Sequence, residues 1–380
     1  MKRHLLVAIV VVGLGPIGAI ARPAAARPKP ASIPPPQMVA AAAYSRMTPA
    51  QRVGQLFMAG VPSTGATRAQ LASLHKHRVG NAILITDTSE RRRIVRAVTT
   101  SLTGHLTDAG VAPFISTDQE GGAVQRLTGE GFGAMPSALK QGAMTDHALR
   151  AASRTWGSQL AAAGVTLNLA PVADTVPAKH ARANQPIGRY GREFGHTPSV
   201  VATHVVAFLR GMDAAGVDTA VKHFPGLGRA SGNTDTRRHV TDPTTRNDPY
   251  LKPFRDGIHA GTQFVMVSSA TYPHIDRHRP ACFSKIIITS MLRGDYHFHG
   301  VVISDDFGTP AMSGTPVASR AVEFFTAGGT MLVDTTIGQI PAMIHAVVAT
   351  AAASSSFAAT IHAATMNVLV AKATAHLIKP

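Results

Sequence analysis

Eight short apolar runs recur along the chain, at residues 55–60, 81–85, 113–117, 166–171, 219–223, 264–268, 301–304 and 329–333. Most are near-continuous rather than alternating apolar and polar. That is the pattern of strands buried on both faces, as in a parallel sheet. Most lead into a longer segment with apolar residues at helical spacing, such as 148–163 and 199–215. Strands alternating with helices imply βαβ units. Eight such units predict an α/β fold of the (β/α)8 barrel type, as a single domain over residues 44–380. A doubly wound open sheet is the alternative. Thr48-Pro49-Ala50-Gln51 reads as a helix start, with Thr48 as the cap and Pro49 at the first helical position.

Polar residues gather where these strands end. The third run leads into Ser116-Thr117-Asp118-Gln119-Glu120-Gly121-Gly122, and the fourth into Asp174. The fifth ends at Lys222-His223, the sixth at Ser268-Ser269 and the seventh at Ser304-Asp305-Asp306. In a barrel all these ends share one face, which carries the active site. The chain has only 21 acidic residues among 380, so several at strand ends are informative. Asp305 and Asp306 are neighbours and should point opposite ways in extended backbone. One can face the barrel mouth while the other is held by structure. After Lys222-His223, Pro225, Gly226 and Gly228 mark a turn into a long polar loop, 229–242.

The N-terminus reads differently. Lys2 and Arg3 precede an apolar run, 5–21, and small residues follow at Ala24, Ala25 and Ala26. This is the pattern of a secretory signal peptide over residues 1–26, with cleavage near Ala21 or Ala26. Residues 27–43 read as a Pro/Ala-rich linker, extended over its proline-rich part, 27–37. The expected location is outside the cytoplasm, secreted or associated with the envelope. The single cysteine, Cys282, excludes an internal disulfide, and 45 % hydrophobic residues suffice for a sizeable core. Gly13-Leu14-Gly15-Pro16-Ile17-Gly18 matches a dinucleotide fingerprint, but it lies in the signal segment and the first acid is Asp87. A ribose-binding acid is therefore missing where one is needed.

The formal charge is +16, and the first 31 residues hold five cations and no acid, leaving +11 for the rest. An exported cation of this size should associate with anionic envelope polymers. Nucleic acid is not expected as a partner, because no basic run is interleaved with aromatics. Arg91-Arg92-Arg93 reads as a solvated face. A monomer is the default expectation.

Three chemistries suit acids and a Lys-His pair at strand ends. Metal binding would use the H-x-H pairs His75/His77 and His297/His299, but no regular ligand spacing completes either. Schiff-base chemistry would use Lys222 as the amine. Glycosyl transfer needs one carboxylate beneath the anomeric carbon, a separate acid/base and polar groups that grip hydroxyls. The acid-rich mouth fits the last best.

At this point the chain resembles the glycoside hydrolase family 3 β-N-acetylhexosaminidases, from about Thr48 to beyond Asp334. Asp118-Gln119-Glu120-Gly121-Gly122 with Val124-Gln125-Arg126-Leu127 looks like the family's D-Q-E-G-G-x-V-Q-R-L. Residues 168–174 resemble its N-x-A-P-V-x-D strand, and 191–195 its R-S-F-G segment. Lys222-His223-Phe224-Pro225-Gly226 matches K-H-F-P-G, and 302–306 resemble its nucleophile strand. The ordered set is far more specific than any one motif. The resemblance implies retaining hydrolysis of terminal β-linked N-acetylglucosamine, with Asp305 as nucleophile and no cofactor or metal. It implies Asp118, Arg126, Arg192, Lys222 and His223 as the groups that hold the sugar. Envelope location suggests a place in peptidoglycan turnover.

One part of the family pattern is absent. The loop after K-H-F-P-G usually carries Asp-Ser-His, whose His is the acid/base. Counted from Lys222, these positions are Asn233, Thr234 and Asp235. Three readings follow. Asp235 replaces the imidazole; or the loop shifts and His239 serves, with Asp235 or Asp242 as partner; or sugars are bound without turnover. A β-glucosidase of the same broad family is the nearest other enzyme. The first reading is preferred, because it needs no gap.

Overall fold

The computed structural model describes residues 34–379 and, ahead of them, Ala8 and Gly13. The signal-peptide reading lies outside the described residues. The described residues from Pro35 onward form one compact unit.

All eight apolar runs contain a strand. In chain order the barrel strands are β1 (Phe57–Val61), β2 (Asn81–Leu84), β3 (Ile115–Thr117), β4 (Leu167–Asn168), β5 (Asp218–Phe224), β6 (Phe264–Val267), β7 (Val301–Ser304) and β8 (Leu332–Asp334). Each pairs in parallel with its sequence neighbour, and β1 also pairs with β8. A parallel bridge between Ile303 and Met331 joins β7 to β8 and closes the ring. This is the (β/α)8 barrel, and the open-sheet alternative is excluded. β1, β2, β6 and β7 are buried along their whole length, as continuous apolar runs require.

The helices Asp146–Ala162 and Pro198–Asp213 fall where the helical spacing placed them. Thr48 caps the helix Pro49–Gly54: its hydroxyl accepts from the Gln51 N–H, while the Gln51 side chain accepts from the Thr48 N–H. The capping box explains why the chain turns there.

The linker reading is corrected from Pro36 on, while residues 27–33 lie outside the described residues. Residues Pro36–Arg46 form a helix whose Ala40 and Ala43 are buried against a small cluster with Val111, Leu369 and Ile378. Pro36 occupies the first helical turn, where its missing N–H costs nothing, and the alanines after it are the best helix formers. The last two prolines of the run, Pro35 and Pro36, thus mark a helix start. Among the described residues no helix is long and apolar enough to cross a membrane.

Candidate active site

Strand ends β2 to β8 surround a cavity of about 630 Å³ at the barrel's C-terminal face. Asp118, Arg126, Arg192, Lys222, His223, Asp235, Asp305 and Asp306 all line it. His239 does not. It is exposed, with a left-handed φ of 54°, on the far part of the loop.

Lys222 and His223 are consecutive, yet both side chains reach the cavity. Regular strand geometry would send them to opposite faces. The β5–β6 register slips between Val221 and Phe224, and this irregularity re-aims the pair. Lys222 is only 2 % exposed, with its ammonium 2.6 Å from both Asp118 Oδ1 and Glu120 Oε1. Burial alone would lower its pKa, but the charges of Asp118 and Glu120 outweigh burial and raise it. Lys222 is therefore a fixed ammonium, which removes it as a Schiff-base amine.

Glu120 is the hub of the floor. Its carboxylate takes two parallel bonds from Arg192, at 2.7 and 2.8 Å, as well as the Lys222 ammonium. Burial pushes its pKa up, but Arg192 and Lys222 overcome that and hold it well below the usual carboxylate range. Glu120 was not among the site residues chosen from sequence. The available signal was its spacing: Asp118 and Glu120 are two apart, and that period places both on one face of an extended segment. Replacing Glu120 with Gln leaves two buried cations facing a neutral amide. Unfolding in urea should show a loss of about 3–5 kcal/mol, the cost of breaking a buried ion pair. A loss within error of zero would mean that Glu120 does not hold the floor together.

His223 is held from behind. Its Nδ1 donates to Asp174 Oδ2 at 2.7 Å, which leaves Nε2 for the cavity. Asp174 Oδ1 also accepts from the N–H groups of His223 and Leu227, so one carboxylate fixes both the ring and the turn after it. Asp174, noted in the sequence only as a strand-end acid, is this positioning residue. On the opposite wall Arg126 bonds Asp87 Oδ1 at 2.7 Å.

The two neighbouring acids that follow β7 both border the cavity but differ in what holds them. Asp306 accepts from the Gly308 and Thr335 N–H groups and the Thr335 hydroxyl, so it is committed to structure. Asp305 accepts at Oδ1 from the Asp306 N–H and otherwise faces the cavity. Burial pushes its pKa up to about 6; Asp235 adds to the rise and His223 opposes it.

The polar loop is clamped at its base. Buried Asp242 accepts from the Arg229 N–H and from Thr244, and Ser231 pairs with Thr241. Asp242 is thereby occupied and is not a partner for His239. Asn233 Oδ1 accepts from the Asp235 N–H, and the Ala311 N–H donates to the Thr234 carbonyl, tying the loop tip to the segment after β7. The tip delivers Asp235 into the cavity. Among the described residues no group of three His, Cys, Asp or Glu is placed to hold a metal ion.

The chain as a whole is similar to known proteins. The profile of the glycosyl hydrolase family 3 N-terminal domain matches residues 48–369. A protein named beta-hexosaminidase from Xylella fastidiosa (strain M23) is 35 % identical over 269 residues, 68 % of this chain and 76 % of its own. Another of that name, from Stenotrophomonas maltophilia (strain K279a), is 35 % identical over 267 residues, 67 % of this chain and 76 % of its own. The crystal structure of beta-N-acetylhexosaminidase from Beutenbergia cavernae superimposes with a TM-score of 0.84 at 44 % identity, covering 86 % of this chain and 98 % of that one. A barrel closed by eight parallel strands, a carboxylate-lined mouth and a family match running through both make this chain a glycoside hydrolase belonging to glycosyl hydrolase family 3, among relatives named β-hexosaminidase.

Proposed function

We propose that the protein is an exo-acting, retaining β-N-acetylglucosaminidase. The observation that carries this is the single cavity in which Asp305 and Asp235 meet the Asp118, Lys222 and Arg192 cluster. Residues from seven of the eight strand ends wall that cavity, so it suits a chain end better than a chain middle. Relatives named β-hexosaminidase support the N-acetyl sugar as the substrate class.

In this reading Asp118, Lys222, Arg192 and Arg126 accept and donate hydrogen bonds to the terminal sugar, with His223 beside the nucleophile. Asp305 attacks the anomeric carbon as the bond to the leaving oxygen breaks, and Asp235 gives that oxygen its proton. Asp235 then takes a proton from water, which displaces Asp305 from the anomeric carbon. Two inversions retain the β configuration. The signal pattern at the N-terminus supports export, and the charge of +11 beyond the first 31 residues supports action on envelope fragments that carry terminal N-acetylglucosamine, as in peptidoglycan turnover.

The test is release of 4-nitrophenol from its β-N-acetylglucosaminide and β-glucoside. Faster release from the N-acetyl substrate is expected. Preference for the glucoside would assign a β-glucosidase instead. No release from either, with binding retained in calorimetry, would make the protein a sugar-binding module.

A further inference from the structure

We infer that Tyr190 is a platform for the leaving-group sugar, so that the cavity is built for a β-linked oligosaccharide rather than for a terminal sugar on a small aglycone. This rests on the hydrolase reading above and adds the second binding position to it.

Tyr190 lines the catalytic cavity and is 47 % exposed. It is the only aromatic among the large side chains left this open in the described residues. A ring half-bare on the wall of a polar cavity offers an apolar face to whatever enters beside it. The apolar C–H face of a pyranose is a natural cover, since aromatic faces attract such positively polarised edges.

The backbone that carries the ring is held in place before any ligand arrives. Tyr190 ends a short turn, Gly188–Tyr190. Asn184 organises that turn: its Oδ1 accepts from the Ile187 and Gly188 N–H groups, and its carbonyl accepts from the Arg189 N–H. The Asn184 amide also donates to the Leu227 carbonyl at 2.9 Å, linking the platform to the turn that follows Lys222-His223. A side chain at Gly188 would collide with the Ala181 carbonyl at 2.3 Å, so the turn has little freedom to shift. Gly191, with φ of 61°, then reverses the chain and drops Arg192 onto Glu120 at the floor. Tyr190 is thus at the mouth above a group that holds the terminal sugar.

The acid shares the cavity with the platform. Asp235 lines the same cavity and acts electrostatically on both Arg192 and Asp305. The glycosidic oxygen it protonates must lie between the terminal sugar and the leaving group. A leaving sugar that emerges beside Asp235 and Arg192 comes out against Tyr190. The cavity of about 630 Å³ has room for more than one pyranose.

The test compares N,N′-diacetylchitobiose with N-acetylglucosaminyl β-fluoride, whose leaving group is too small to touch the platform. Tyr190→Ala should lower kcat/KM on the disaccharide about three- to tenfold, the range of an aromatic contact, and leave the fluoride unchanged. Tyr190→Phe should retain wild-type values on both. An equal fall on both substrates, or no fall on the disaccharide, overturns the platform. If the wild type turns over neither substrate, the hydrolase reading fails, and calorimetry then decides the platform alone. Tyr190→Ala should in that case weaken disaccharide binding by the same factor without changing binding of N-acetylglucosamine. Equal disaccharide affinities for wild type and variant would overturn it.

Discussion

Replacing Asp305 with Ala should lower kcat on the order of 10⁴-fold or more, because the covalent route is removed rather than weakened. The variant should fold at least as well as the wild type. The folded pKa of Asp305 is raised to about 6, mainly by burial. A carboxylate raised in the folded state costs stability above that pH, and the cost vanishes as pH falls below its unfolded value. Removing it therefore relieves the folded state at neutral pH, and thermal melting should show no loss. The same pKa sets a pH limb. In the wild type kcat/KM should fall as pH drops through about 6, since the protonated acid cannot attack. A variant with normal turnover, or one whose loss of turnover tracks loss of fold, would remove Asp305 as nucleophile.

Replacing Asp235 with Ala should cost about 10²–10⁴-fold on substrates with poor leaving groups, the usual worth of a general acid. Substrates whose leaving group needs no proton, such as the 2,4-dinitrophenyl glycoside, should lose far less in the first step. Added azide should rescue turnover and give the β-glycosyl azide, since azide needs no base to attack the glycosyl-enzyme. His239→Ala should behave as wild type, because His239 lies outside the cavity on the exposed part of the loop. The opposite pair of results, a normal Asp235→Ala on a poor leaving group and a dead His239→Ala, would transfer the proton to His239 through a loop rearrangement.

The barrel was legible because its determinants are local. Each buried parallel strand needs a short apolar run, and each run was visible. Their edges were less so. Residues 166–171 read as one strand, but regular pairing spans only Leu167–Asn168. Pro171 has no N–H to give the ladder, although the Ala170 and Pro171 carbonyls still accept from Ala220 and Lys222 of β5. The short hairpin of Gln119–Gly121 and Val124–Gln125 was not foreseen, since its polar residues carry no strand signal. The Gln119 side chain holds it together, donating to the Leu127 carbonyl and accepting from the Leu127 N–H.

The site was legible where residues touch the cavity and obscure where they act from behind it. Asp118, Lys222 and Asp305 stood out as polar groups at strand ends. Glu120 and Asp174 carry equal weight, but their partners lie 102 and 49 positions away in sequence, and only the closed barrel brings them together. Lys372 is the extreme case. This buried lysine donates to Gln55 Oε1 and the Gly80 carbonyl from the far end of the chain, and no local pattern distinguishes it from a surface lysine. The loop presents the reverse situation. Sequence counting left Asp235 and His239 both open, and the clamp at Asp242 with the tie from Ala311 directs the first into the cavity.

The most direct measurement is covalent trapping. A 2,4-dinitrophenyl 5-fluoro-β-N-acetylglucosaminide, slow to release its sugar, should add one glycosyl mass to the wild-type protein. Peptide mapping should place that mass on Asp305, and Asp305→Ala should take up none. Label on another carboxylate, or label that persists in Asp305→Ala, would contradict a covalent glycosyl-enzyme at this residue.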